Sequence, residues 1–156
     1  MKKGGFWLLL LAGMVAFGTL RAQNTVLGER VPEIRSEKWF NKVEPATAAR
    51  TIITFFTASN PASIKALDRL SQLLDEPKQD LRVILVTRDS EEEVAAVIEP
   101  YLSPRMTVAF DTENKLFKNF GVQYVPFSLL VESRNHRLLW QGNPLQLTPS
   151  ILSMAR

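Results

Sequence analysis

Two runs of apolar and β-branched residues constrain the fold of this chain more than any other feature. Residues 50–57 read RTIITFFT and residues 81–87 read LRVILVT, and neither run alternates polar with apolar side chains. Such runs are typical of strands buried on both faces, as in a parallel sheet covered by helices. We therefore expect a central sheet with helices on both sides.

Helix-start patterns follow both runs. Asn60 is a favoured N-cap residue, and Pro61 suits the first helical position because its missing N–H needs no partner there. Ser90 and Glu93 have the spacing of a capping box after the second run. The first of these helices has an apolar stripe at helical spacing, made of Ile64, Leu67, Leu70 and Leu74.

The rest of the chain adds shorter elements. The pattern predicts a strand over residues 106–110, a short helix over 111–120 capped by Asp111 or Thr112 and stopped by Gly121, a hairpin of strands 127–132 and 137–140, and a last helix after Thr148. Strand–helix alternation followed by a hairpin gives parallel strands with an antiparallel edge. We expect an α/β fold, a three-layer α/β/α sandwich around a mixed central sheet.

The start of the chain differs from the rest. Lys2 and Lys3 precede a nearly continuous apolar run over residues 6–17, and small or polar residues lead to Ala22. This order is typical of a secretory signal peptide cleaved after Ala22, which predicts an exported, periplasmic domain over residues 23–156. Leu20 is unusual two places before such a cut, so an uncleaved inner-membrane anchor is the alternative.

Composition excludes several function classes. Residues 1–22 hold three of the 19 basic residues and none of the 16 acidic ones, so residues 23–156 have balanced charge. Without a basic stripe, we expect no nucleic-acid partner. The chain has no cysteine and one histidine, so we expect no disulfide and no metal site. Because no glycine-rich phosphate loop is present either, we expect no cofactor.

Three segments, in this order, resemble the thioredoxin superfamily, and its exported TlpA or redoxin type in particular. Residues 53–63 (ITFFTASNPAS) resemble the family's strand, aromatic pair and Cys-x-x-Cys helix start. Residues 120–126 (FGVQYVP) are similar to its Gly-Val-x-x-Val-Pro segment, which ends in a cis-proline. Residues 139–148 (LWQGNPLQLT) resemble its final strand and last-helix entry. The resemblance implies a thioredoxin-like fold from about Val31 onward.

The sulfur positions of that family are changed here. Asn60 and Ser63 stand where the two cysteines would be, Thr54 replaces a buried acid of thioredoxin, and Ser59 replaces a tryptophan. In the family one thiolate attacks a disulfide and the second thiol resolves the mixed disulfide. An amide and an alcohol cannot do this, so we expect no disulfide exchange. The cysteine of the related peroxiredoxins would also fall on Asn60, which excludes their activity too.

These positions define a candidate binding site with no catalytic residue. The resemblance implies that the domain holds an exported peptide or protein at the former active-site groove, with a cis-proline loop offering a strand edge. The residues of this site are Asn60, Pro61, Ala62, Ser63, Val125 and Pro126. The plainer interpretation is an ordinary helix cap at Asn60 and an inherited turn at Pro126.

Two other functions stay open from the sequence. One is a structural subunit of an envelope assembly. The other is an enzyme that works without thiols through Thr57, Ser59 or Ser63, for which the sequence offers no base. His136 falls in the predicted hairpin turn, where we expect it to be exposed to solvent.

Overall fold

The computed structural model describes residues 25–155 of the 156-residue chain. The predicted leader over residues 1–22 lies outside the described residues, together with Gln23, Asn24 and Arg156. Within residues 25–155, no helix is long and apolar enough to cross a bilayer.

Strands and helices alternate along the described part of the chain in the predicted order. The strands are β1 (Arg50–Phe55), β2 (Leu81–Thr87), β3 (Met106–Phe110), β4 (Phe127–Glu132) and β5 (Arg137–Gly142). The α-helices are α1 (Pro61–Asp75), α2 (Glu91–Ile98), α3 (Lys115–Asn119) and α4 (Pro149–Met154). Short 3-10 turns cover Phe40–Lys42, Glu99–Tyr101 and Pro144–Gln146.

The sheet is mixed, with the strand order β3-β2-β1-β4-β5. β1, β2 and β3 run parallel, whereas β4 is antiparallel to β1 and to β5. Five of the six residues of β1 and six of the seven residues of β2 are buried, as the uninterrupted apolar runs predict. The expected α/β fold with parallel strands and an antiparallel edge is therefore confirmed.

Two hydrophobic clusters lie on the two faces of this sheet. α1, α2 and α4 cover one face, where Leu67, Val94 and Leu152 belong to the same cluster. On the other face α3 contributes Leu116 and Phe117, and the extended chain that precedes β1 packs beside them. The second outer layer is thus a five-residue helix together with extended chain.

α3 is shorter than predicted and its N-cap is Asn114, so the prediction of Asp111 or Thr112 at that position was wrong, although Asp111 still binds the helix start. The carboxylate of Asp111 accepts the N–H groups of Leu116 and Phe117 at 3.0 and 2.9 Å. A turn lies between Asp111 and the helix, and Asn114 has a left-handed backbone with φ of 58°. Gly121 ends the helix with φ of 62°, a conformation that glycine adopts without strain. Asp111 therefore satisfies helical N–H groups from outside the helix.

The segment before β1 partly covers both edges of the sheet. Gly28 donates its N–H to the Leu138 carbonyl of β5 at 2.8 Å. Farther along, the Phe110 N–H of β3 donates to the Lys38 carbonyl at 2.9 Å. Unpaired edge strands invite pairing with other chains, and these contacts reduce that exposure. The segment leaves the loops after β1 and before β4 accessible at one end of the sheet.

Candidate binding site

The register of the sheet brings the two halves of the candidate site together. Phe55, the last residue of β1, is paired with Phe127, the first residue of β4. The chain that follows β1 and the chain that precedes β4 therefore meet at the same end of the sheet. There the Asn60 side-chain amide donates a hydrogen bond from Nδ2 to the Val125 carbonyl at 3.1 Å.

Asn60 uses both ends of its side-chain amide. Its Oδ1 accepts the Ala62 N–H at 2.9 Å, which makes it the N-cap of α1 as predicted. A backbone N–H can only donate and a carbonyl oxygen can only accept, so the two partners fix which end of the amide faces which. One side chain thus caps the helix and bridges to the loop before β4.

The loop before β4 exposes an aromatic residue beside a buried proline. The Val125–Pro126 peptide bond is cis, and Pro126 is buried. The side chain of Tyr124 is 53% exposed and meets the Phe127 ring edge to face, with 5.5 Å between ring centroids. Among the described residues, the Val125 N–H has no hydrogen-bond acceptor. This loop therefore offers an apolar surface and a free backbone donor.

The six predicted site residues are close together, but they are not equally accessible. Pro61 is exposed, whereas Asn60, Ala62 and Val125 are half-buried. Ser63 is completely buried, and its Oγ lies 3.4 Å from the Thr57 N–H, at the long limit of a hydrogen bond. Ser63, like the buried Pro126, supports the site from beneath and offers no surface to a partner.

Asp89 is a site-organising residue that the sequence reasoning missed. Its carboxylate accepts the Ala58 N–H at 2.6 Å and the Thr57 hydroxyl at 3.0 Å. The Thr57 and Ser59 hydroxyl oxygens lie 3.2 Å apart. Asp89 thus fixes the loop between β1 and α1. The signal available in the sequence was its position directly after β2, because the carboxyl ends of neighbouring parallel strands meet at one edge of a sheet.

Of the three candidate hydroxyls Thr57, Ser59 and Ser63, that of Thr57 alone donates to a carboxylate among the described residues. Asp89 contacts Thr57, and both of its oxygens are already occupied by donors. The hydroxyl of Ser63 is buried and faces a backbone N–H. A thiol-independent enzyme would need a base hydrogen-bonded to an accessible hydroxyl, and the described contacts give neither Ser59 nor Ser63 such a partner.

A neutral pair lies beneath the site where the resemblance places a buried acid. The hydroxyl oxygens of Thr54 in β1 and Ser128 in β4 are 2.6 Å apart, and both residues are fully buried. Each hydroxyl satisfies the other. Neither group titrates near neutral pH, so this pair does not supply the carboxyl group that the resemblance places there.

His136 lies away from the site. It occupies the turn between β4 and β5, as predicted, with a left-handed φ of 57°. It is half-buried, and so less exposed than expected, because its carbonyl accepts the Val31 N–H at 2.9 Å and the segment before β1 lies against the turn. Within the described chain no three His, Asp or Glu side chains are arranged to hold a metal ion.

Solved structures with the same arrangement are numerous, although their sequences are distant. A thioredoxin-like protein from Aeropyrum pernix is 16% identical and matches with a TM-score of 0.59 over 74% of this chain and 79% of its own. A Bacteroides thetaiotaomicron protein provisionally described as a protein disulfide isomerase is 12% identical, with a TM-score of 0.63 over 86% and 88% of the two chains. The chain has a thioredoxin-like fold.

Another similar structure is that of a disulfide oxidoreductase secreted by Mycobacterium tuberculosis. It is 14% identical to this thioredoxin-like chain and covers 69% of it and 78% of its own length, with a TM-score of 0.52. No protein-family model and no curated protein sequence matches the chain. At these identities the likeness concerns the fold, and the activity has to be inferred from the site itself.

Proposed function

We propose that this chain is an exported, redox-inactive thioredoxin-like domain that binds an extended segment of a peptide or protein. The binding surface consists of Asn60, Pro61, Ala62, Tyr124 and Val125. The observation that carries the proposal is the contact of Asn60 with Val125, because it joins the start of α1 to the loop before β4 at one accessible surface.

The proposed lack of redox activity follows from the groups at the two former sulfur positions. The amide of Asn60 is engaged in two hydrogen bonds, and the hydroxyl of Ser63 has no exposed surface. Disulfide exchange requires an accessible thiolate, and the chain contains no cysteine. Binding can survive this loss because it depends on the shape of the surface.

The chemistry of the surface suits a peptide backbone. Tyr124 offers an exposed aromatic face and Pro61 an exposed apolar ring, which bury area at little cost in side-chain freedom. Beside them the Val125 N–H has no acceptor among the described residues. An extended chain can supply a carbonyl to this donor while its side chains pack against Tyr124 and Pro61.

Export is supported by two separate observations. The pattern of residues 1–22 is that of a secretory leader, with an uncleaved anchor as the alternative. One of the similar structures is of a secreted protein. In this proposal the partner is therefore an exported or envelope-located polypeptide.

The test is a selection of peptide ligands. A displayed library of unstructured peptides is panned on residues 23–156, and the enriched peptides are synthesised and titrated. Tyr124→Ala should weaken their binding by about tenfold or more, since a truncated aromatic anchor typically costs that much. Met154→Ala is the matched control, because Met154 is 82% exposed but lies on α4, whose Leu152 contacts the opposite end of β1. Absence of enriched peptides, or equal binding by Tyr124→Ala, would contradict the proposal.

A further inference from the structure

We propose that the Asn60 side chain is an internal competitor for the partner. In the free protein it satisfies the Val125 carbonyl, and a partner that pairs with the loop gains this carbonyl only by displacing the amide. The inference rests on the proposed function and names the step that controls access to that surface.

Within the described part of the chain, the backbone of Val125 is hydrogen-bonded at its carbonyl but not at its N–H. Its carbonyl is bonded to Asn60 Nδ2 at 3.1 Å, whereas its N–H has no acceptor among the described residues. A hydrogen-bonded residue pair in an antiparallel ladder exchanges both an N–H and a carbonyl bond. While the Asn60 amide stays in place, a partner can therefore form the bond with the Val125 N–H but not the second bond of the pair, with the Val125 carbonyl.

The side-chain amide of Asn60 is a rigid, planar group. Oδ1 and Nδ2 of Asn60 share one plane, and Oδ1 holds the Ala62 N–H at 2.9 Å. Rotating Nδ2 away from Val125 also moves Oδ1 away from its partner. Displacement by a ligand therefore loosens the cap of α1, so that occupancy of the loop is transmitted to the start of the helix.

The critical variant is Asn60→Ser. Serine is as good an N-cap as asparagine, so the helix start is kept while the donor to Val125 is lost. A competing hydrogen bond is worth about a fivefold change in binding, and we expect peptides selected on the wild type to bind Asn60→Ser about fivefold more tightly. A carbonyl has two lone pairs, so the alternative outcome is that peptide and amide bind together and the affinity does not rise.

Asn143→Ser is the matched control. Asn143 also caps a helical turn, since its Oδ1 accepts the Leu145 N–H at 3.0 Å. Its side-chain N–H₂ has no acceptor among the described residues. The substitution therefore repeats the change from asparagine to serine without removing a competitor, and peptide affinity should not change.

A second readout needs no variant. In the NMR spectrum of the wild type, the Asn60 side-chain protons should exchange slowly with solvent, and peptide addition should speed their exchange together with that of the Ala62 amide. Slow Asn60 exchange that persists at saturating peptide, or affinity unchanged in Asn60→Ser, would overturn this inference alone. Failure to obtain any peptide ligand would overturn it together with the proposed function.

Discussion

The two halves of the candidate site are held in different ways. The loop between β1 and α1 is fastened from several sides, because Asp89 binds Ala58 and Thr57, and the Asn60 N–H donates to the Thr57 carbonyl at 3.3 Å. The loop before β4 is held by the Val122 N–H bond to the Phe117 carbonyl, by one bond from Asn60, and by packing of Val125 on the second hydrophobic cluster, while Tyr124 contacts Phe127 at the surface. We call the loop between β1 and α1 the frame. We call the loop before β4, which is more exposed and is bonded to the frame through Asn60, the edge.

This difference bears on which half of the site is held in place without cysteine. A dithiol centre needs a rigid helix start, and that rigidity comes from Asp89 and from the Asn60 cap rather than from sulfur. The frame of this chain is therefore held without any cysteine. The edge carries the exposed area, which is the part that a partner would use. Substitutions in one half should therefore leave the structure of the other half unchanged.

The largest effect is expected from restoring the dithiol. In Asn60→Cys/Ser63→Cys the two sulfurs lie three residues apart at the start of α1, a separation that a disulfide can span. We expect the pair to oxidise in air and to reduce a small disulfide substrate, a reaction for which the wild type has no thiol. Thiol titration and a turnover assay measure the two results.

Each single cysteine variant is the control for this prediction, since one thiol alone should neither form the intramolecular bond nor turn over. Two thiols that stay free under oxidising conditions would show that the frame no longer has the geometry of a dithiol centre. The thioredoxin-like assignment of residues 60 and 63 would then be wrong, whatever the similarity of the overall fold.

The next effect is expected from Asp89→Ala. The substitution leaves the Ala58 N–H and the Thr57 hydroxyl without their acceptor, which should lower the free energy of unfolding by about 1–3 kcal/mol. Urea unfolding measures the loss, and hydrogen exchange should become faster at Asn60, whose N–H donates to the Thr57 carbonyl, but not at Val122, whose N–H donates to the Phe117 carbonyl. Asp75→Ala, at an exposed carboxylate without a hydrogen bond in the described region, should change stability by less than about 0.5 kcal/mol. Equal loosening of both loops would contradict the division into frame and edge.

The elements that the sequence predicts well are those with local causes. The bounds of β2 and β3 follow from apolar runs, and the cap of α2 follows from a Ser90–Glu93 capping box that the structure contains. Asn60 and Pro61 start α1 as expected. In each case the residues that interact are within a few positions of one another, so that a pattern along the chain carries the information.

The features that the sequence does not predict depend on distant partners. Asp89 binds Ala58 across 31 positions, and Asn60 binds Val125 across 65. Only the register of β1 against β2 and β4 makes these contacts, and no local pattern encodes a register. The burial of Ser63 and the half-burial of His136 have the same origin, since each depends on chain that packs over it from elsewhere.

The smallest effect concerns the pair that connects the two halves beneath the surface. Thr54→Val removes the partner of the buried Ser128 hydroxyl, so we expect a loss of about 1–2 kcal/mol by urea unfolding. Thr54→Val/Ser128→Ala removes both hydroxyls and should be more stable than the sum of the single changes predicts, because no polar group is left unpaired. Ser133→Ala is the control, since the hydroxyl of Ser133, the residue after β4, pairs with that of Thr51 in β1 but Ser133 is only half-buried. If Ser133→Ala lowers the free energy of unfolding as much as Ser128→Ala does, burial is not the reason that the Thr54–Ser128 pair stabilises the protein. The changes in the free energy of unfolding could instead add strictly in the double variant. The Thr54 and Ser128 hydroxyls would then not connect the frame to the edge, and the bond from Asn60 to Val125 would be the remaining connection.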